Sequence, residues 1–479
     1  CPPRLTMGWA GLSPRGAPFS VPPPLLLGIF QQPPQPPVSS PLEGAWEGTL
    51  QVGAIELRLG FTLQPKADTP PGEKIVLTGT MVSIDQGAAE IPVTRATLTS
   101  DTFQIVVPAA GASFTGTLNA ARNTAEGFWY QGLNKLPLTL KKVPAITRLR
   151  RPQEPRPPFP FPAEEVRYET PTAKIQLAGT LTIPPGQGPF PAVLLITGSG
   201  PQDRDESLLG HKPFLVLADH LTRRGIVVLR VDDRGVGQST GSFADATTLD
   251  FAEDALAGFR FLQQRSEVDP QRIGLLGHSE GGIIAPIVAS KTPEVGYIVL
   301  LAGTALPGEE ILYRQSRLIA QAEGAPPADI EANVELQRKI FAIVKAEPPG
   351  PEVVKKLNDM LKDHLNTLTP EQQKELQKGA GMQAIQAQLA QFSKPWLKTF
   401  MTYDPKTSLK LVQCPVLALN GELDLQVPWR ENLEGIRETL LAAGNTRVPT
   451  KSSPNLTPLF QTCTAGSPTR YGKIEETLN

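Results

Sequence analysis

Hydrophobic and polar positions follow two different periods along this chain. Between residues 42 and 143 they alternate in short runs, as in Ile55-Glu56-Leu57-Arg58-Leu59, Ile75-Val76-Leu77-Thr78-Gly79-Thr80, Phe103-Gln104-Ile105-Val106-Val107 and Leu136-Pro137-Leu138-Thr139-Leu140. A period of two, in pieces punctuated by Gly, Asn and Asp, predicts an antiparallel sheet or a small barrel. Trp46-Glu47-Gly48-Thr49-Leu50 and Gly127-Phe128-Trp129 read as strands with aromatic core anchors. From Val166 onward, continuous apolar runs alternate with amphipathic ones. Strands are expected at 192–196, 226–231, 273–276, 297–301 and 415–420, with helices near 214–221, 249–262 and 281–289. Apolar strands separated by amphipathic helices predict a mostly parallel sheet covered on both faces, the α/β class. Residues 305–405 interrupt this rhythm with Glu, Gln, Lys, Leu and Ala, broken at Pro326-Pro327, Pro348-Pro349 and Pro370. They read as a helical lid or cap inserted in a sheet connection.

At 479 residues the chain is long enough for two or three domains. The pattern divides it into a Pro-rich tail (1–41), a β-rich accessory domain (42–143), a Pro-rich linker (144–165), a first core segment (166–304), the helical insertion (305–405) and a second core segment (406–479). The tail, with a dozen prolines around Leu25-Leu26-Leu27, reads either as disordered or as a degraded export signal; the second would make the protein secreted or periplasmic. Cys1 in place of Met points to a processed chain or a fragment. The arginines of the linker, Arg148, Arg150, Arg151 and Arg156, are expected to be solvated. A net charge of −1 supplies no field for nucleic acid, and nowhere do 18 apolar residues run together as a membrane span requires. Three scattered cysteines (Cys1, Cys414, Cys463) fit neither a disulfide framework nor a metal site, and Cys414 before an apolar run reads as a buried, inert thiol.

The motif with the clearest chemistry is Gly277-His278-Ser279-Glu280-Gly281-Gly282, between an expected strand and an expected helix. In that setting G-x-S-x-G forms a nucleophile elbow: the serine sits on a strained turn, so Gly277 and Gly281 must leave clearance. An oxyanion hole requires two backbone N–H groups. One is expected from Glu280 and the other from the loop after the strand ending at Ile196, where Ser199 is assigned and Gly200 competes. Asp233 and Arg234, in the run Asp232-Asp233-Arg234-Gly235-Val236-Gly237, read as a structural ion pair. Asp424, in Gly421-Glu422-Leu423-Asp424, follows a later strand and is the expected acid of a triad, with Glu422 as the alternative.

From Val166 to Leu478 the chain resembles a bacterial α/β-hydrolase family of lid-bearing serine carboxylesterases. Thr197-Gly198-Ser199-Gly200-Pro201-Gln202-Asp203-Arg204-Asp205, the elbow and Asn420-Gly421-Glu422-Leu423-Asp424-Leu425-Gln426-Val427 carry the likeness. Residues 42–143 are similar to the β-rich domain that often precedes such esterases, through Asp85-Gln86-Gly87-Ala88 and Ile91-Pro92-Val93. The resemblance implies hydrolysis of a small-molecule ester through an acyl-enzyme on Ser279, with no cofactor and no metal. One departure stands against it. Where the family reads Asn-His-Leu-Phe-Gln, its histidine being the general base, this chain reads Thr457-Pro458-Leu459-Phe460-Gln461. Pro458 therefore occupies the base position. The histidines are His211, His220, His278 and His364, and none follows Asp424 as triad order requires. His278 is expected to point away from the site, structural roles are expected for His211 and His220, and His364 is expected to be exposed in the lid.

Two explanations compete. The Asn-to-Thr and His-to-Pro changes are adjacent and each arises by one A-to-C substitution, which favours an error or recent lesion in an esterase. The family also usually continues into a final helix beyond the Asn479 end, which favours a fragment. Alternatively, the chain is a pseudo-hydrolase that binds a hydrophobic acyl ligand without turnover. A thioesterase or peptidase on the same fold is the further alternative.

Overall fold

The structure, a computed structural model, describes residues 40–52, 55–66, 76–86, 90–131, 134–366 and 389–479. The chain divides into two units, Cys1–Ser40 and Pro41–Asn479. Residues 1–39 of the tail expected over 1–41, part of the Asp85–Ala88 piece, Ile75 and the break at Pro370 lie outside the described residues.

The alternating region closes into an antiparallel barrel of β1 (Gly44–Val52), β2 (Ile55–Pro65), β3 (Leu77–Ser83), β4 (Ile91–Thr99), β5 (Thr102–Val107), β6 (Ala112–Leu118), β7 (Thr124–Gln131) and β8 (Asn134–Val143). Each strand pairs with the next, and β8 returns to β1. The alternation is a consequence of the pleat: along β5, Phe103, Ile105 and Val107 are fully buried while Thr102 and Gln104 face out. Inward side chains fill the barrel, with Trp46 and Phe103 rings 5.2 Å apart and Phe61 and Trp129 rings 6.0 Å apart.

The second sheet has the order β16-β15-β14-β13-β11-β12-β10-β9, formed by β9 (Ala163–Glu169), β10 (Gln176–Thr182), β11 (Phe190–Ile196), β12 (Val227–Val231), β13 (Val268–His278), β14 (Tyr297–Leu301), β15 (Val416–Gly421) and β16 (Thr450–Ser453). Strands β11 to β16 run parallel; β9 and β10 form an antiparallel pair, with β10 antiparallel to β12. β9 begins at Ala163, inside the segment expected to be linker, because Ala163-Glu164-Glu165-Val166 already alternates against β10. Helices α1 (Pro213–Thr222), α2 (Thr248–Gln263) and α3 (Gly281–Lys291) pack on the sheet, α2 and α3 against Leu194, Leu275 and Ile298. The chain is thus an α/β-hydrolase fold preceded by an all-β barrel. Between β14 and β15 it makes α4 (Gly308–Ala322), α5 (Pro327–Ala346), α6 (Pro351–Asn366) and α7 (Pro395–Thr402), with a separate small core around Tyr313, Val334, Phe341 and Leu357.

One expectation about the linker is corrected. Arg151 is not a solvated cation: its guanidinium donates to the carbonyls of Leu209, Gly210, Gly472 and Ile474. Partly buried backbone oxygens outside helix and strand ladders need donors, and the five-donor fork of arginine supplies several at once. Cys414 is half-buried, and burial pushes its thiol up to about 11.

Candidate active site

Strand β13 ends at His278, α3 begins at Gly281, and Ser279 lies in the bend between them. Its φ of 51° is in the left-handed region, strained for a residue with a Cβ. The glycines make this bend possible. A Cβ on Gly277 would lie 2.0 Å from the Gly281 carbonyl oxygen, and one on Gly281 would lie 2.3 Å from that of Ile196. The Ser279 N–H bonds to the Leu301 carbonyl at 2.9 Å, and its own carbonyl accepts from Gly282 N–H at 2.9 Å. Ser279 is half-buried at the mouth of the sheet, close against Gly198 of the loop after β11.

Among the described residues, no protein acceptor meets the backbone N–H of Ser199 or Glu280. Gly198 N–H, by contrast, is occupied by the Glu206 carboxylate at 2.7 Å. The side chain of Glu280 is buried (2% exposed) and accepts from the Thr248 hydroxyl at 2.7 Å and from the Trp396 indole of α7 at 2.8 Å. Burial holds this carboxyl above its ordinary range despite those donors.

Asp233 and Arg234 do not pair with each other. Asp233 accepts from the Thr197 hydroxyl and the Gln202 N–H, fastening the loop that carries Ser199. Arg234 pairs with Asp254 of α2 at 2.6 Å. Burial pushes Asp233 up to about 7.

Asp424 lies on the loop after β15, 3% exposed. Its Oδ1 accepts from the N–H groups of Gln426 and Val427, each at 2.8 Å, while Oδ2 is buried with no partner. Burial drives this carboxyl up to about 7, against those two donors and the nearby His278. Glu422, the alternative acid, instead accepts from the Ser452 hydroxyl in an exposed pair. The segment that carries Thr457 and Pro458 runs alongside the acid loop, with Leu423 N–H donating to the Leu456 carbonyl at 3.0 Å. Pro458 is buried there and offers no donor to Asp424.

The histidines fall elsewhere. His211 is fully buried, its Nδ1 at 3.0 Å from the Thr477 hydroxyl and its Nε2 at 3.1 Å from the Tyr471 carbonyl. Burial first, and then Arg151, lower it to about 4. His220 is exposed on α1; His364 is in α6 and its side chain lies outside the described residues. His278 is buried, facing Glu206 and the Pro458 carbonyl. Glu206 is the site residue that motif reasoning missed: it lies 72 positions before His278, and no spacing rule connects them.

Among the described residues no cluster of His, Cys, Asp and Glu could hold a metal ion, and no helix is long and apolar enough to cross a membrane.

A family model described as X-Pro dipeptidyl-peptidase (S15 family) matches residues 174–434, more than half of the chain. Esterase EstD of Thermotoga maritima is 37% identical over 169 residues, covering 34% of this chain and 39% of that protein. The peroxisomal succinyl-coenzyme A thioesterase of Mus musculus is 28% identical over 159 residues, covering 33% and 34%. The chain therefore spans well under half the length of either relative. Among solved structures, the Pyrococcus furiosus esterase Pf2001 is 15% identical, covering 65% of this chain and 90% of that one with a TM-score of 0.39.

Proposed function

The chain belongs to the X-Pro dipeptidyl-peptidase (S15) family, and on that premise we propose that it is a serine hydrolase acting on carboxylic esters through an acyl-enzyme on Ser279. Ser279 Oγ attacks the ester carbonyl, and the resulting oxyanion is held by the N–H groups of Ser199 and Glu280. The C–O bond to the alcohol breaks, the alcohol leaves with a proton, and water then cleaves the acyl-serine to release the acid. Asp424 is the acid that orients a base, and Pro458 stands at the base position, so turnover is impaired in this chain.

The observation that carries this reading is the buried, unpartnered Oδ2 of Asp424, beside the segment where the base belongs. A buried carboxylate oxygen without a donor costs on the order of 1–3 kcal/mol, and an imidazole N–H is the group that would satisfy it. Esters are favoured over amides for a specific reason. An amine leaves only when protonated, which is the task of the missing imidazole, whereas an alkoxide or phenolate departs more readily without it. The insertion α4–α7 is proposed as the lid, tied to the elbow by the Trp396–Glu280 bond.

The test is Thr457→Asn with Pro458→His, assayed on p-nitrophenyl esters. Turnover should rise by about 10²-fold to 10⁴-fold, the range that a positioned general acid–base group supplies, and Ser279→Ala should abolish it. An unchanged rate would end the assignment of residue 458. The second reading, a pseudo-hydrolase binding a hydrophobic acyl ligand, is favoured by the same unpartnered oxygen. It predicts thermal stabilisation by a fatty acyl ligand without turnover even after the double replacement.

A further inference from the structure

We infer that Glu206 and His278 are positioning residues of this site: one buried carboxylate–imidazole pair fastens the oxyanion loop, the elbow and the segment carrying residue 458 to one another. Three distances define the link. Glu206 Oε1 accepts from Gly198 N–H at 2.7 Å and faces His278 Nδ1 at 2.8 Å, and His278 Nε2 faces the Pro458 carbonyl at 3.1 Å. Both side chains are buried, at 3% and 9% exposure. Glu206 holds a φ of 51°, a backbone conformation a glutamate adopts only when its surroundings impose it.

The chemistry of the ring fixes its role. Both nitrogens face oxygens that can only accept, so both are satisfied when both carry protons. Such an imidazolium holds no lone pair for the Ser279 proton, which excludes His278 as a substitute base. It acts as a cationic staple. Burial pulls the ring down, but Glu206, the Pro458 carbonyl and Asp424 together hold it above its ordinary value, in keeping with the charged form. The staple also sets geometry. Gly198 immediately precedes Ser199, and a Cβ on Gly198 would lie 3.3 Å from the Ser279 Cβ and 3.4 Å from His278 Nδ1. Moving Glu206 would therefore shift the oxyanion loop relative to the nucleophile, and moving His278 would release the backbone at residue 458.

The oxyanion arm of this inference is independent of what residue 458 does; the other arm rests on the proposed base position. The experiment separates them in the full-length chain. In the parent, Ser279 is labelled with a fluorophosphonate probe and folding is followed by thermal melting. Glu206→Ala should slow labelling about tenfold or more, whereas Glu206→Gln, which keeps an oxygen for both donors, should label at least about fivefold faster than Ala. If Ala does not fold, Glu206→Asp carries the same expectation. In the Pro458→His background, His278→Phe should lower kcat by about tenfold to hundredfold while KM moves less than about threefold. Equal labelling rates in folded Ala, Gln and parent proteins would overturn the inference. If Pro458→His gains no turnover but the Glu206 series behaves as stated, the base assignment fails and the hold on the oxyanion loop stands.

Discussion

The elbow at residues 277–281 and the segment at residues 455–461 lie over the same end of one sheet, and both are tightly packed. Thr457 and Gln461 are fully buried, as are Gly277 and Gly281. They differ in how the polar atoms beside them are satisfied. Around the elbow, Glu280 takes donors from Thr248 and Trp396, and Glu206 from Gly198 and His278. Around the second segment, Asp424 Oδ2 and Gln461 Oε1 are buried without partners. Shape alone does not distinguish a neighbourhood whose polar atoms are paired from one whose polar atoms are not. A proline fills the volume of position 458 but supplies no donor, and the deficit appears on the neighbouring acid.

The comparison can be broken most severely at the elbow. Gly281→Val drives a Cβ into the β11 backbone, and should cost about 3 kcal/mol or more of stability and all labelling of Ser279 by a fluorophosphonate. Thermal melting beside active-site labelling checks both.

Asp424→Asn should act on the side with the unpartnered atoms. Burial raises this carboxyl to about 7, so the folded state favours its protonated form. Stability from that preference is fully present below the unfolded value near 4 and is lost as pH rises through 7. Asp424→Asn should therefore flatten part of the decline in melting temperature between pH 4 and 7. The gain at pH 8 should be on the order of 2–4 kcal/mol. Asp233 and Glu280, also raised, retain slope of the same sign. A variant that melts in parallel with the parent across this range would refute the unpartnered carboxyl as a source of strain. In the Pro458→His background the same change should instead lower kcat.

The smallest effect is expected at Trp396→Phe, which removes one donor from Glu280 and leaves Thr248 in place. A loss of about 1–2 kcal/mol is expected from denaturant midpoints.

Much of the architecture was legible because periodicity reports burial directly. Alternation in Phe103–Val107 marks one buried face, and the continuous apolar run Ala192–Ile196 marks two. The elbow was legible as well, since its glycines and serine are sequence neighbours and the clearance they provide is local. The antiparallel pair β9 and β10 was missed, because the prolines before β9 masked its alternation. Arg151 was missed because its acceptors come from the 208–211 turn and the 472–474 stretch, which meet only in three dimensions. Asp233 and Arg234 hold structural contacts, but not with each other: Arg234 pairs with Asp254 of α2, and Asp233 accepts from Thr197 and Gln202, partners that sequence adjacency could not reveal.

The sequence by itself determined the alternating strands of the β-rich region, the apolar strands of the parallel sheet, the strand-to-helix bend at Ser279 and the presence of proline at position 458, because each depends on residues a few positions apart, whereas closure of the barrel joins Ala45 to Val143. The tertiary structure alone decided that Glu206 reaches His278, that His278 holds the backbone of Pro458, and that Asp424 keeps one oxygen without a donor. Hydrogen-bond satisfaction is a property of the assembled neighbourhood, and groups 72 and 180 residues apart become neighbours only when the sheet brings their loops to one end.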